Sequence, residues 1–249
     1  MNEFNPFSLQ GKTVLITGAS SGIGKATAIA CSKMGATIVA TGRNMQKLEA
    51  TLAELEGKSN VIISADLIKP EDITHLIEQL PKLDGVVHCA GIGNRQPAKL
   101  VTEDELDRVM NTNFKAAVML QTELMNGKKL NKSGSIVFIA SAAVHMPACG
   151  NAVYSASKAA IIGYARCLSL ELAPRGIRVN CICPAMVWTD LIMQEGVGKE
   201  ELAQAQQKYP LKRYGEPDDV ANLAIYLLSD ASQWMTNSCI DITGGTSEL

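Results

Sequence analysis

A hydroxyl, a phenol and an amine occur close together in the stretch S-A-A-V-H-M-P-A-C-G-N-A-V-Y-S-A-S-K, residues 141–158. Tyr154 and Lys158 are four residues apart, a spacing that puts two side chains on one face of a helix. Ser141 follows the apolar run 136–139, and open α/β sheets bind ligands at the carboxyl ends of their strands. Together the three groups could transfer a proton. Taken singly, the pair is also an ordinary helix surface pair and Ser141 an ordinary turn residue.

Strands and helices alternate along the whole sequence. Short β-branched runs predict buried strands at 13–17, 37–40, 61–63, 85–88, 136–139, 177–182 and 239–242. Between them, helical periodicity predicts helices that include 45–56, 71–80, 103–125, 151–173 and 217–228. This alternation predicts an α/β fold, a doubly wound parallel sheet with helices on both faces. Without a linker or an internal repeat, we expect one domain over residues 1–249.

Composition excludes several classes of protein. The 249 residues are 47% hydrophobic and 19% charged, which indicates a large core, and the net charge of −2 with no basic stripe predicts no nucleic-acid partner. No apolar run reaches the roughly 18 residues of a membrane span, and the N-terminus lacks a signal-peptide pattern. Seven cysteines without a C-x-x-C pair and three scattered histidines predict core thiols and no metal. A cytoplasmic location is therefore expected.

A glycine-rich turn, Gly18, Gly22 and Gly24, stands between the first predicted strand and the helix after it. Glycines in this context let the backbone approach a pyrophosphate, whose charge the helix N-terminus stabilises. Such turns also occur only to pack a helix on a strand. With the strand before it and the helix behind it, the turn predicts a dinucleotide site.

The second predicted strand ends in Thr41-Gly42-Arg43 and carries no acid there. An acid at this point would bind the ribose 2′-hydroxyl of NAD, whereas an arginine accommodates a 2′-phosphate. The forked, permanently charged guanidinium of Arg43 therefore favours NADP(H), with NAD(H) as the alternative. The other interpretation is that Arg43 is an ordinary solvated loop charge.

These features together resemble the short-chain dehydrogenase/reductase family over nearly the whole chain. The motifs that carry the resemblance are T-G-A-S-S-G-I-G (17–24), C-A-G (89–91), Asn113 in N-T-N-F, Ser141, Y-S-A-S-K (154–158) and P-A-M-V-W-T (184–189). The resemblance implies a single Rossmann-type domain with a sheet of about seven parallel strands. It also implies hydride transfer between a nicotinamide and a carbonyl or alcohol.

The same resemblance implies four catalytic residues. Tyr154 would be the general acid in reduction, and Lys158 would bind the nicotinamide ribose and lower the pKa of the tyrosine. Ser141 would hydrogen-bond the substrate oxygen, and Asn113 would hold a water in the proton relay. The chemistry is reasonable in itself, because a free tyrosine has a pKa near 10 and needs a neighbouring cation to exchange protons near neutrality.

Further contacts to the cofactor carry over from the family. Besides the three glycines, Arg43, Tyr154 and Lys158, the expected set is Ser20, Ser21, Ile23, Asp66, Leu67, Ala90, Gly91, Pro184, Val187 and Thr189. Two departures matter. His88-Cys89 stands where the family often has two asparagines, and Ala185 stands where it often has glycine. The first removes any polar strut that those asparagines supply, and the second constrains the loop backbone.

Substrate choice is expected to rest on a lid over 186–212, with Ser141, Met186 and Trp188 as substrate contacts, unless these apolar residues only cover the core. The segment 209–217 resembles 3-oxoacyl-acyl-carrier-protein reductases, which favours a carrier-bound 3-oxoacyl thioester. Lys132 and Arg175 fall where those enzymes carry basic residues for the carrier. The alternatives are a hydroxysteroid, polyol or small-ketone enzyme of this family, or a catalytically inactive nicotinamide-binding sensor. Apolar helices 103–125 and 151–173 predict a homo-oligomer, in this family commonly a tetramer.

Overall fold

The computed structural model describes residues 4–193 and 198–248. Its centre is a seven-stranded sheet in which every pairing is parallel and the strand order is β3-β2-β1-β4-β5-β6-β7. The strands are β1 (Thr13–Thr17), β2 (Thr37–Gly42), β3 (Val61–Ser64), β4 (Leu83–His88), β5 (Leu130–Ile139), β6 (Arg178–Pro184) and β7 (Cys239–Ile242). The predicted fold class is confirmed.

Helices connect the strands and cover both faces of the sheet. They are α1 (Gly22–Lys33), α2 (Met45–Leu52), α3 (Pro70–Gln79), α4 (Glu103–Met110), α5 (Ala116–Asn126), α6 (Ala152–Leu172), α7 (Asp190–Met193), α8 (Lys199–Ala205) and α9 (Pro217–Leu228). The helix predicted over 103–125 contains a π-helical stretch, Asn111–Lys115, between α4 and α5. Periodicity alone does not reveal this change, because one extra residue per turn barely disturbs the apolar spacing.

The core lies in two layers, one on each face of the sheet. Successive residues of a strand point to opposite faces, so Leu15 packs in one layer and Ile16 in the other. The layer of Leu15 includes residues of α3, α5 and α6, while the layer of Ile16 includes residues of α1 and α9. Burial on both faces explains why these strands read as continuous apolar runs.

The order of the strands reverses between β1 and β4, and this reversal positions the site. β1 pairs with β2 on one side and with β4 on the other, so the loops that leave β1 and β4 diverge and a crevice opens at their carboxyl ends. In the ranges 4–193 and 198–248, no helix is long and apolar enough to cross a membrane.

Candidate active site

A cleft of about 320 Å³ opens at the carboxyl edge of the sheet. Nearly all of the residues predicted to bind cofactor or substrate line it. They are Gly18, Ser20, Ser21, Gly22, Ile23, Gly24, Arg43, Asp66, Leu67, Ala90, Gly91, Ser141, Tyr154, Lys158, Pro184, Met186, Val187 and Thr189. The cleft therefore brings together residues from the two halves of the chain. Asn113 and Trp188 are not among the residues that line it.

The glycine turn has a shape that side chains would obstruct. Gly18 and Gly22 have φ angles of +65° and +51°, a region that favours glycine. A Cβ on Gly24 would lie 2.3 Å from the carbonyl oxygen of Gly18, and a Cβ on Gly18 would lie 3.0 Å from the backbone of Ala90. The turn ends at the N-terminus of α1, whose amide groups favour an anion. This cradle fits a pyrophosphate.

Thr17 joins the two loops that form the crevice. Its hydroxyl accepts hydrogen bonds from the backbone amides of Cys89 at 3.0 Å and Ala90 at 3.1 Å. The end of β1 is thereby fixed to the loop that leaves β4. This role was not predicted from the sequence, although Thr17 is the first residue of the motif T-G-A-S-S-G-I-G.

Ser141, Tyr154 and Lys158 all line the cleft. Ser141 follows β5, is only 7% exposed, and its hydroxyl oxygen accepts a hydrogen bond from the amide of Ala143 at 3.2 Å. Tyr154 and Lys158 lie on α6, and the ammonium nitrogen of Lys158 is 5.9 Å from the centre of the Tyr154 ring. Lys158 donates a hydrogen bond to the carbonyl oxygen of Ile139 at 2.8 Å.

Burial changes the acidity of Lys158. Its side chain is 5% exposed, and the loss of water around the ammonium lowers its pKa from 10.5 to about 8. The neighbouring thiols of Cys89, Cys181 and Cys183 act weakly in the opposite direction. A group with a pKa so near neutrality at the wall of a cleft is typical of a catalytic centre.

Asn113 lies behind the cleft, within the π-helical stretch, and is 2% exposed. Its amide oxygen accepts from the backbone amide of Ile92 at 2.8 Å, while its amide nitrogen donates to the carbonyl oxygen of Ile92 and to the hydroxyl of Ser157, both at 3.0 Å. Both amide hydrogens are thus committed to protein partners. The side chain fixes the loop after β4 to α6, directly behind Gly91 and Lys158.

The positions where the sequence departs from the family take other roles. His88 is buried, stacks on Phe138 at 4.5 Å and bonds the amide oxygen of Gln121 at 3.1 Å. Burial lowers its pKa to about 4, so the ring is neutral and serves as a core residue. The amide nitrogen of Ala185 donates to the carbonyl oxygen of Ile242, which ties the loop after β6 to the end of β7.

Part of the cleft is bounded by the loops after β2 and β3. Arg43 is exposed there and lines the cleft together with Asp66. Lys47 of α2 and Asp190 of α7 form an exposed ion pair of 3.7 Å nearby. Asp190 also lines the cleft, so this pair joins the loop region after β2 to the segment after β6.

The cleft also has apolar lining. Met186, Ile92 and Ile192 contribute to it, and Ala143 and Asn151 line the cleft as well. Trp188 instead packs at 5.4 Å from Tyr214, and its indole nitrogen donates to Gln206. Of the predicted lid 186–212, residues 194–197 lie outside the described residues. Ile92, Ala143 and Asn151 were missed, since nothing in their types signals a site.

In the described ranges, no group of three or more His, Cys, Asp or Glu side chains is arranged to hold a metal ion. The cleft offers a cradle for a pyrophosphate together with a hydroxyl, a phenol and a buried amine. This combination suits a nucleotide cofactor together with proton transfer to an oxygen.

Comparison with known proteins agrees with this geometry. A family model described as enoyl-(acyl carrier protein) reductase matches residues 18–247. The 3-oxoacyl-(acyl-carrier-protein) reductase FabG of Rickettsia felis is 37% identical over 237 residues, which are 95% of this chain and 97% of the relative.

Solved structures have the same fold. A short-chain type dehydrogenase/reductase from Mycobacterium marinum is 31% identical, with a TM-score of 0.90 over 97% of this chain and 98% of that one. A protein described as a candidate NAD(P)-dependent gluconate 5-dehydrogenase from Beutenbergia cavernae, with NADP bound at low occupancy, is 32% identical. Its TM-score is 0.86 over 97% of this chain and 98% of that one. The chain belongs to the short-chain dehydrogenase/reductase family of oxidoreductases.

Proposed function

We propose that this protein is an NADP(H)-dependent reductase of carbonyl compounds, and that its substrate is a 3-oxoacyl thioester. The observation that carries the proposal is the shared cleft, which Ser141, Tyr154 and Lys158 line together with the glycine turn. A sensor that only bound nicotinamide would need the turn and not the three proton-handling groups.

The residues of the chain supply the proton and the charge stabilisation. When bound, a reduced nicotinamide supplies the hydride for the carbonyl carbon. The phenol of Tyr154 donates its proton to the carbonyl oxygen as negative charge develops there. Ser141, whose hydroxyl accepts from Ala143, can still donate its own hydrogen to the same oxygen. The ammonium of Lys158 stabilises the phenolate that remains on Tyr154.

The glycine turn, Ser20, Ser21 and the N-terminus of α1 would hold the pyrophosphate of the dinucleotide. Arg43 would hold the 2′-phosphate, because a guanidinium binds a phosphate through two parallel hydrogen bonds and no acid at the end of β2 opposes it. The bound NADP of the Beutenbergia cavernae relative supports this preference. NAD(H) is the alternative.

The cofactor preference is tested with Arg43→Gln. We expect kcat/KM with NADPH to fall at least about tenfold, the loss of about 1.4 kcal/mol of charge-assisted binding, while kcat/KM with NADH changes little. Lys33→Gln, an exposed lysine at the end of α1, is the matched control and should change neither. Equal losses with both cofactors would contradict a 2′-phosphate contact.

Two lines of support favour a 3-oxoacyl thioester. The Rickettsia felis relative bears the name of such an enzyme, and Ile92, Met186 and Ile192 give the cleft an apolar wall suited to an acyl chain. Lys132 is exposed and available to an acidic carrier protein, whereas Arg175 already donates to the carbonyl oxygen of Leu130. A polyol or sugar acid is the second candidate, because the Beutenbergia cavernae relative is described as a gluconate enzyme.

The decisive experiment is a substrate screen monitored by NADPH oxidation at 340 nm. We expect turnover of acetoacetyl thioesters to exceed that of 5-ketogluconate and simple ketones, and Tyr154→Phe to lower it by about 10²- to 10⁴-fold. Preferred turnover of the sugar acid would replace the thioester assignment. Bound NADPH with no turnover of any carbonyl would support the inactive sensor instead. Full activity of Tyr154→Phe would overturn the role of the phenol.

We also propose that the protein is a homotetramer. Leu106 on α4, Met119 on α5 and Leu170 on α6 are 41%, 41% and 69% exposed, and burying such large apolar side chains against another subunit would be favourable. A second copy would cover them. Light scattering of the purified protein is expected to give four times the chain mass of 26.6 kDa, and a monomer would refute the proposal. The cytoplasmic location stays a prediction.

A further inference from the structure

Three cysteines lie on one face of the sheet at its last two strands. Cys181 and Cys183 lie on β6 and are buried, while Cys239 lies on β7 and is half-buried. In the parallel pairing, the register partner of Cys181 is Cys239. Because β7 is the edge strand, one side of this pair of thiols faces the core and the other approaches the surface.

The two thiols interact with each other and with a cation. The thiol of Cys181, opposite Cys239 in the strand register, and the guanidinium of Arg166 on α6 both favour the thiolate of Cys239. These interactions, the thiol first, lower the pKa of Cys239 below that of an ordinary thiol against the opposing effects of burial and of Asp241. Cys183 faces the same cluster, and its pKa is raised to about 12 by burial.

Two other charged groups lie near the cluster. Asp241, on the same strand as Cys239, lies 3.2 Å from a ring nitrogen of His145 and opposes the thiolate of Cys239. The ammonium of Lys158 neighbours Cys181 and Cys183 on the side of the core. Seen from α6, β6 and β7, Cys239 faces Arg166, Cys181, Cys183 and Asp241.

We propose that Cys239 and Cys181 form a redox modification site, in which Cys239 reacts with a peroxide and Cys181 resolves the product as a disulfide. The thiolate of Cys239 attacks one peroxide oxygen, the O–O bond breaks, and a sulfenic acid and one water are formed once the leaving hydroxide takes a proton. The sulfur of Cys181 then attacks the sulfenic sulfur, so that an S–S bond forms and a second water leaves. Two thiols are oxidised and one peroxide is reduced to two waters.

The strand geometry allows this disulfide. Neighbouring strands lie about 4.8 Å apart, and a disulfide spans about 4.4 to 6.8 Å between its Cα atoms. Cys183 is two residues further along β6, opposite Asp241, so the directly opposed Cys181 is the nearer partner. The site is independent of the proposed function, since none of these cysteines transfers a proton or a hydride in it.

The test treats the reduced full-length protein with a small excess of hydrogen peroxide at pH 7, blocks the remaining thiols and maps tryptic peptides by mass spectrometry. We expect a disulfide between peptides 179–199 and 214–249, with fragmentation assigning it to Cys181 and Cys239. In Cys181→Ser, the sulfenic acid on Cys239 should persist and be trapped by dimedone. Cys149→Ser removes an exposed thiol elsewhere and should leave the disulfide unchanged.

Reactivity gives a second, independent readout. Alkylation of Cys239 by iodoacetamide should reach half its maximal rate at a lower pH than the about 8.5 of an unperturbed thiol, and Arg166→Gln should move this midpoint upward. Circular dichroism checks that each variant is folded. A Cys239 that stays reduced while Cys149 is oxidised, or one that is alkylated only above pH 8, would overturn the proposal. So would a disulfide to Cys183.

Discussion

Replacing Lys158 by methionine should separate the stability of the fold from its chemistry. The ammonium is buried and donates a hydrogen bond to the carbonyl oxygen of Ile139. The buried charge therefore lowers the free energy of unfolding, while it serves the proposed chemistry of the cleft. Methionine fills similar space without a charge, so we expect a more stable protein at pH 7 with activity lowered at least about 100-fold.

The magnitude follows from the pKa of Lys158, which is about 8 in the fold against 10.5 in the unfolded chain. Since each pKa unit corresponds to about 1.4 kcal/mol, the buried charge costs about 3 kcal/mol of unfolding free energy at pH 7. Loss of the bond to Ile139 offsets about 1 to 2 kcal/mol of the gain. Methionine at this position should therefore stabilise the protein by about 1 to 2 kcal/mol at pH 7.

The sign of the pH dependence is fixed as well. Between pH 8 and pH 10.5 the unfolded chain binds more protons at this lysine than the folded one, so the wild type gains stability as the pH rises through that window. The advantage of Lys158→Met should therefore shrink by about 3 kcal/mol from pH 7 to pH 10.5. At the upper end the variant should be the less stable protein.

Urea unfolding of both proteins without cofactor, at one protein concentration and over pH 6.5 to 10.5, measures this difference. Lys99→Met, at an exposed lysine, is the control and should show a difference from wild type that does not change with pH. A pH-independent difference for Lys158→Met would refute the reasoning, because it would mean that burial does not lower the pKa of this lysine.

Two other substitutions test the scaffold of the cleft. Asn113→Leu removes the hydrogen bonds that Asn113 makes with the amide and carbonyl of Ile92 and with the hydroxyl of Ser157. The free energy of unfolding, measured with urea, should fall by about 2 to 4 kcal/mol. A cost below 1 kcal/mol would contradict the positioning role. Gly24→Ala puts a Cβ 2.3 Å from the carbonyl oxygen of Gly18, so cofactor affinity measured by fluorescence quenching should fall at least tenfold. Unchanged affinity would show that the turn can relax.

The sequence determined the fold class because its signals are local. Apolar β-branched runs that alternate with amphipathic helices permit few arrangements other than a parallel sheet. The glycine turn was equally readable, since the position of Gly18 and Gly24 between a strand and a helix is itself the signal. The spacing of Tyr154 and Lys158 on α6 follows from helix geometry alone and needs no tertiary information.

The roles of the remaining groups depend on contacts between residues that are distant in the sequence. Asn113 lies buried in a π-helical stretch, where it bridges a loop and α6. Trp188 packs against Tyr214 and donates to Gln206 instead of lining the cleft. The spacing of residues along the sequence does not predict the contacts of either side chain. The same holds for the depressed pKa of Lys158 and for the pairing of Cys181 with Cys239. Burial, charge proximity and strand register join residues far apart in the chain, so no local pattern can specify them.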